Sequence, residues 1–332
     1  MILPTMVRRI KPDLYLLTIF SMVVLASFLP VSGAPAHWLS LLTKVLVGGT
    51  FFLHGARLPR EAVVAGFRHW RLHVLVLAAT YVLFPVITVG LAALPPMLSP
   101  PALASGLIFL GCLPSTVQSS ITFTVIARGN VAAAVAAASA SNIIGVFLTP
   151  VLVGLLLHAQ GSVSPGAIQS IILQLLAPFI AGQLLRPLIG GWVERHKRVT
   201  TLFDRSGILL IVYVAFSGAV TAGIWAMLGV ADLLRLLLLC AVLLAIVLFT
   251  TRLVAQRLGF STEDEAAIMF CGSKKSLAAG VPMAAILFPP AAAGLILLPI
   301  MVFHQIQLMA CAVIASAYAR REIDLTPAPT AA

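Results

Sequence analysis

Apolar runs of about twenty residues recur along almost the whole chain, separated by short stretches that carry charge, proline or glycine. A run of this length, wound as a helix, crosses the ~30 Å hydrocarbon core of a bilayer. Only 9% of the residues are charged and 61% are hydrophobic, which leaves too few polar side chains to cover a soluble protein of 332 residues. We therefore predict an all-α membrane protein with the lipid bilayer as its solvent.

Hydropathy windows of about 19 residues predict ten transmembrane helices. These lie near residues 13–30, 37–57, 72–93, 101–127, 131–157, 166–190, 204–223, 232–257, 263–288 and 291–319. Positive charge tests the count, because cytoplasmic loops retain lysine and arginine. The termini and the even-numbered loops hold 17 of the 21 basic residues. This pattern predicts a multi-pass protein of the cell membrane, inner or plasma, with both termini in the cytoplasm.

Ten helices divide into two sets of five, and an odd number of crossings gives the two halves opposite orientations. This parity permits a 5+5 inverted repeat, with residues 1–160 as the first half and 161–332 as the second, in one membrane unit. The fourth helix of each half carries a polar interruption, at residues 111–120 and 271–282. Such paired interruptions indicate where a transporter binds its solute.

Both interruptions are expected near the middle of the bilayer. Lys274 lies about 11 residues, or ~16 Å, from the predicted helix end, and Ser119 lies ~13 Å from the same side. Backbone that leaves the helix at this depth has to be packed in protein or line a cavity. Half-helices beginning near Gln118 and near Ser276 would point free N–H groups into that cavity, which favours an anion.

Lys274 and Lys275 add positive charge to this region. A lysine at the centre of a spanning helix costs about 2.5–3.5 kcal/mol and usually marks function. We expect one of the two to face the site and the other to pair with a carbonyl group or a phospholipid; the alternative is that both reach the cytoplasmic interface. All ten acidic residues are expected at helix ends or in loops, which leaves no membrane-buried carboxylate.

The candidate residues for substrate or ion binding are polar side chains in or near the interruptions. They are Ser115, Thr116, Gln118, Ser119, Ser120, Ser139, Asn142, Ser273, Lys274, Lys275, Ser276 and His304. Ser139 and Asn142 lie in a helix of small residues, where close packing is the alternative role. His54 and His304 are either proton carriers or structural histidines. The four cysteines show no metal-ligand spacing, so neither a metal nor another cofactor is predicted.

Four stretches carry a resemblance to a known family: residues 51–55 (FFLHG), 111–129, 148–150 (LTP) and 270–277 (FCGSKKSL). The sequence resembles the bile acid:sodium symporter family, and more closely its divergent sodium symporter-like branch, over nearly the whole chain. The resemblance implies a panel domain and a core domain, with the fourth and ninth helices broken and crossing in the core. It also implies transport by alternating access.

In sodium-coupled relatives, an acidic residue and a glutamine of the ninth helix bind two sodium ions together with polar side chains of the fourth and fifth helices. Here the acidic position is matched by Cys271, the glutamine by Lys274, and the fifth-helix hydroxyls by Ala134 and Ala138. These replacements argue against sodium coupling, and coupling to either sodium or protons stays open. We hypothesise that a lysine ammonium group takes the place of a bound sodium ion.

The expected function is secondary transport of a small organic anion. The alternative is a membrane-embedded regulatory protein that keeps the fold without transport. An enzyme is not predicted, because the sequence shows no carboxylate pair, metal-ligand cluster or nucleophile–base arrangement within the membrane. The net charge of +11 does not indicate binding to nucleic acid, because the basic residues are spread between apolar runs.

Overall fold

The computed structural model describes residues 14–57, 69–158 and 165–325, and in these ranges it contains helices and no strands. In chain order the helices are α1 (Leu14–Phe28), α2 (Gly33–Arg57), α3 (Trp70–Ala78), a π-helical turn (Ala79–Leu83), α4 (Phe84–Ala92), α5 (Pro101–Cys112), α6 (Gln118–Ile126), α7 (Val131–His158), α8 (Pro165–Arg195), α9 (Lys197–Thr221), α10 (Ile224–Met227), α11 (Val230–Arg257), α12 (Thr262–Gly272), α13 (Leu277–Leu287) and α14 (Pro290–Leu325).

The helices have the length and surface that a membrane requires. Six of those in the described part of the chain are long and apolar enough to cross it: Gly33–Arg57, Trp70–Ala92, Val131–Leu157, Lys197–Thr221, Val230–Arg257 and Pro290–Arg320. Large apolar side chains such as Leu184 and Leu188 are mostly exposed on the outside. Helices satisfy their own backbone hydrogen bonds, so this architecture suits a protein surrounded by hydrocarbon.

The connection predicted between the sixth and seventh helices, residues 190–204, is almost entirely helical. α8 continues to Arg195 and α9 begins at Lys197, with only His196 between them. The polar residues here are good helix formers, so the helices extend beyond the apolar runs that hydropathy detects. Asp204 therefore lies two turns inside α9, and its predicted place at a helix end was wrong. The basic residues predicted for the N-terminus, and Arg60 and Arg68, lie outside the described residues.

The helices pack in two groups. α2, α8 and α9 contact one another and α1 packs on α9, whereas α3 to α7 together with α11 and α12 form the second group. α14 packs along both α9 and α5 and so connects the groups. Of the two interrupted helices predicted from the sequence, α5–α6 lies in the second group, whereas α12–α13 passes from the second group to the first, because α13 packs against α14, α9, α8 and α2.

α2 and α8 approach each other with their backbones in near contact. A Cβ atom added at Gly55 would lie 2.1 Å from the carbonyl oxygen of Phe179, and one added at Gly182 would lie 2.0 Å from that of Phe52. Small residues at such crossings allow helices to pack closely in a membrane, where dispersion contacts replace the hydrophobic effect. The two glycines therefore fix the distance between α2 and α8.

We expect Gly55→Ala and Gly182→Ala each to lower the stability of the purified protein by about 1–3 kcal/mol, because one methyl group forces the helices apart. Gly191→Ala, also on α8, is the matched control, since a Cβ atom there meets nothing within 4 Å. Thermal unfolding in detergent measures the difference. An equal melting temperature for all three variants would contradict the close approach.

Candidate functional site

The first broken span consists of α5 and α6, separated by the non-helical residues 113–117. Pro114 causes the interruption, because proline has no backbone N–H and disfavours the helical conformation in the residue before it. Leu113 is accordingly extended, with φ −72° and ψ 153°. α6 begins at Gln118, as predicted, and Val117 before it forms no side-chain cap. The first-turn N–H groups of α6 therefore have no intrahelical partner and no side-chain cap from that residue.

The second broken span consists of α12 and α13, separated by residues 273–276. No proline lies in this break. Instead, the side-chain amide of Gln307 on α14 replaces helical backbone partners: its Oε1 accepts from the N–H of Lys275 at 2.9 Å, and its Nε2 donates to the carbonyl of Lys275 at 3.0 Å. Ser276 caps α13 by accepting from the N–H of Ala279 at 3.1 Å. Both interruptions predicted from the sequence are thus confirmed.

The two breaks lie against each other and exchange hydrogen bonds. These run from Ser276 N to Pro114 O at 2.9 Å, from Ser115 Oγ to Cys271 O at 2.6 Å, and from Ser120 Oγ to Phe270 O at 3.0 Å. Each bond satisfies a backbone group that its own helix leaves unpaired. An unpaired group in this apolar setting would cost several kcal/mol. The breaks therefore stabilise one another.

Lys275 is fully buried at the centre of this contact. Its Nζ donates to three backbone carbonyl oxygens, those of Thr80, Gly111 and Leu113, each at 2.7 Å. It also lies 4.2 Å from the centre of the Phe84 ring, at a distance that suits a cation–π interaction. The side chain thereby connects the second broken span to the end of α5 and to the π-helical turn.

The π-helical turn explains why the carbonyl of Thr80 is available. In this turn the N–H of Phe84 donates to the carbonyl of Ala79, five residues earlier. The next donor in the same pattern would be residue 85, which is a proline without an N–H. The carbonyl of Thr80 therefore has no backbone donor in either helical register, and the ammonium group of Lys275 takes that place.

Lys274 has different surroundings, although it is also fully buried. Its Nζ lies 3.8 Å from the centre of the Phe123 ring and 5.2 Å from that of Phe270, with the carbonyl of Ser119 at 3.5 Å. Two aromatic rings, one carbonyl oxygen and the thiol of Cys311 thus surround the ammonium group. Ser119 and Phe123 belong to α6, so Lys274 connects the second broken span to the second half of the first.

A cavity of about 680 Å³ lies beside the breaks. The starts of both half-helices line it, through residues 116–119 and 276–279. Its other walls include Ser139 and Asn142 of α7 and His304 of α14. The cavity extends between the two helix groups to the ends of α2 and α9 where basic residues lie. It is large enough for a small organic solute.

The predicted site residues divide between this cavity and the interior behind it. Seven line the cavity: Thr116, Gln118, Ser119, Ser139, Asn142, Ser276 and His304. Five do not line it: Ser115, Ser120, Ser273, Lys274 and Lys275. The expectation that one lysine faces the site thus differs from the structure. An ammonium group needs acceptors, and the breaks offer carbonyl oxygens and aromatic faces within reach, so both lysines turn inward.

The sequence did not predict the charged residues that line the cavity. Arg57 of α2 donates to Asp204 of α9 at 2.5 Å, and the guanidinium carbon of Arg205 lies 4.8 Å from the centre of the Tyr15 ring. His54 lines the cavity near this pair. A carboxylate therefore is present in the cavity, contrary to expectation. The sequence signal for this longer helix is the helical propensity of Lys197 and Arg198, which precede Asp204.

The positions matched to sodium ligands in the relatives are apolar and buried here. Cys271, Ala134 and Ala138 belong to one hydrophobic cluster, which α3, α7, α11 and α12 form. The thiol of Cys271 lies 3.6 Å from the carbonyl of Ala134. This cluster presents no carboxylate or hydroxyl oxygen from these three positions.

Two interrupted helices that meet beside a cavity within a bundle of membrane-spanning helices are typical of secondary membrane transporters. The sequence model of the SBF-like CPA transporter family matches residues 13–320. The chain belongs to this family, which confirms the resemblance to the bile acid:sodium symporters.

Similar proteins cover more than nine-tenths of the chain. It is 54% identical to the uncharacterized protein PA2026 of Pseudomonas aeruginosa over 323 residues, 96% of this chain and 97% of that protein. It is 50% identical to "Putative symporter YfeH" of Escherichia coli, over 94% and 95% of the two chains. It is 29% identical to sodium/bile acid cotransporter 7 of Rattus norvegicus, over 92% of each.

Lys275→Met is expected to destabilise the protein, because three buried carbonyl groups lose their donor at about 1–3 kcal/mol each. Methionine at this position avoids the cost of burying a charge, but it leaves the three carbonyl oxygens without a hydrogen-bond donor. Lys44→Met is the matched control, since Lys44 is exposed on α2. Thermal unfolding in detergent gives the comparison. A melting temperature for Lys275→Met equal to that of the control would show that the carbonyl contacts contribute nothing.

Proposed function

We propose that this protein is a secondary transporter that moves a small organic anion by alternating access and does so without sodium coupling. The observation that carries the proposal is the cavity between the two helix groups, lined by the N-terminal ends of both half-helices. Membership of a transporter family supports the class of activity. The anion and the absence of sodium coupling follow from the chemistry of the residues around the cavity.

The proposed topology has ten spans in the cell membrane, with both termini in the cytoplasm. Each of the ten predicted segments overlaps one helix or one interrupted pair of helices in the described part of the chain. The fourth segment of each half is the interrupted one, which supports an inverted repeat of residues 1–160 and 161–332. By this repeat we assign α1, α2, α8 and α9 to the panel domain, and α3–α7 and α11–α14 to the core domain, with α13 and α14 packed against the panel.

An anionic solute suits the cavity because the start of α6 and two guanidinium groups lie on its wall. α6 begins at Gln118 without a side-chain cap, and both Gln118 and Ser119 line the cavity. The first-turn N–H groups of a helix carry its positive dipole end and bind anions. Arg57 and Arg205 also line the cavity, and Asp204 balances one of these two charges. The cavity thus has a positive balance.

The apolar cluster at the matched sodium-ligand positions supports transport without sodium. A sodium ion needs several oxygen ligands to replace its hydration shell. Cys271, Ala134 and Ala138 supply no side-chain oxygen, and they pack against apolar neighbours instead. Sodium binding at these positions would leave the ion poorly coordinated. Proton coupling stays open, with Asp204 and the cavity histidines as its candidate groups.

The direct test is uptake by proteoliposomes of a panel of labelled mono- and dicarboxylates and sulfonates, with sodium or potassium in the external buffer. We expect saturable uptake of at least one anion at the same rate in both buffers. Uptake that requires sodium would contradict the proposed absence of sodium coupling. A regulatory protein without transport would show no uptake above empty liposomes.

Gln118→Met should raise the KM for the transported anion about three- to tenfold, as expected for one lost neutral hydrogen bond. Gln256→Met is the matched control, because Gln256 is an exposed glutamine on α11 outside the cavity lining. Initial uptake rates at varied substrate concentration give both values. If the two variants have the same KM as the unmodified protein, the side chain of Gln118 does not bind the solute.

A further inference from the structure

We propose that the carbonyl groups of Thr80, Gly111 and Leu113 form a binding site for a monovalent cation of ammonium size, and that the protein fills this site permanently with the side chain of its own Lys275. The inference deepens the proposed function, because it explains how the interrupted core dispenses with an exchangeable coupling cation. The cation site itself is independent of transport and can be tested on purified protein.

The arrangement of acceptors is that of a cation site. Three backbone carbonyl oxygens from separate segments lie at the same 2.7 Å from one nitrogen. Every acceptor of this nitrogen in the described part of the chain is an uncharged carbonyl oxygen. Convergent backbone carbonyls replace the hydration shell of a monovalent cation in ion-selective proteins. An ammonium group with three N–H donors matches three such oxygens one to one.

Each carbonyl is free for a local reason that does not depend on Lys275. Pro85 removes the donor for Thr80 in the π-helical turn. Gly111 lies in the last turn of α5, where carbonyls have no helical donor, and Leu113 precedes the proline that ends this helix. The first broken span and the π-helical turn thus leave three carbonyl oxygens without backbone donors, and the second broken span supplies the cation through Lys275.

The backbone of Lys275 is positioned by a separate interaction. Gln307 binds both its N–H and its carbonyl group, at 2.9 and 3.0 Å. The ammonium group therefore starts from a fixed point, and the four-carbon stem places it at the acceptors. Such tethering makes the binding intramolecular, so the ammonium group of Lys275 has an advantage over a free cation at this site.

Lys274 shows that burial alone does not create this arrangement. It is as buried as Lys275, yet its Nζ lies over the Phe123 ring at 3.8 Å and has one carbonyl oxygen only at 3.5 Å. Among the described residues, no set of converging carbonyl oxygens surrounds its ammonium group. The adjacent lysine is therefore a matched control for the loss of a buried ammonium group.

The experiment compares the melting temperatures of the unmodified protein, Lys275→Ala and Lys274→Ala in detergent. Each is measured at one ionic strength in the chlorides of tetramethylammonium, sodium, potassium, ammonium and n-propylammonium. Tetramethylammonium has no N–H donor and is the reference salt. n-Propylammonium replaces the atoms that Lys275→Ala removes beyond Cβ, including the ammonium group.

The proposal expects Lys275→Ala to melt at a higher temperature in ammonium and n-propylammonium than in tetramethylammonium. The rise is about 3–6 °C when the cation exceeds its dissociation constant about tenfold. The unmodified protein and Lys274→Ala should show no such rise. Equal melting of Lys275→Ala in all salts, or the same rise in all three proteins, overturns the proposal without bearing on whether the protein transports an anion.

A second comparison keeps the proposal testable should Lys275→Ala not fold. Lys275→Gln keeps N–H donors on a side chain close in length to lysine, whereas Lys275→Met keeps the volume without donors. If the three carbonyl oxygens form a cation site, Lys275→Gln should lower the melting temperature, or the amount of folded protein in the membrane, less than Lys275→Met does. An equal loss for both variants contradicts it.

Discussion

An ammonium group buried in a membrane protein has to find acceptors, and backbone carbonyls freed from a helix have to find donors. In this protein the two requirements meet at Lys275, whose Nζ binds the carbonyls of Thr80, Gly111 and Leu113. Either feature alone would be costly in hydrocarbon. Together they allow two interrupted helices to exist side by side in the interior, and the architecture of the cavity depends on those interruptions.

The interruptions in turn supply the polar character of the cavity. A continuous helix hides its N–H groups, whereas a helix that begins in the middle of the protein exposes a first turn. α6 and α13 both begin there, and their first residues line the cavity together with Ser139, Asn142 and His304. The charges of the lysines lie behind this surface, held by carbonyl groups and aromatic rings. The cavity therefore receives its positive balance from helix ends and from arginines at its open end.

The sequence predicted the interruptions because their causes are local. Pro114 stops a helix wherever it occurs, and two lysines in an apolar run mark a position that cannot face lipid. The direction of Lys275 could not be predicted, since it depends on a π-helical turn 195 residues away in the chain. The only local indication of that turn is Pro85 within an apolar helix. Hydropathy also placed Asp204 at a helix end, because hydropathy windows detect apolar runs and not the polar helical turns that precede or follow them.

Chemical modification of lysines on the folded protein tests the central claim most directly. Reductive methylation needs a free amine in contact with solvent, so mass spectrometry reports which lysines are held inside. We predict that Lys197, which is exposed at the start of α9, becomes dimethylated in the folded protein while Lys275 stays unmodified, and that both react after unfolding. Methylation of Lys275 at the rate of Lys197 in the folded protein would contradict the account, because an ammonium group bound by three carbonyls cannot reach the reagent.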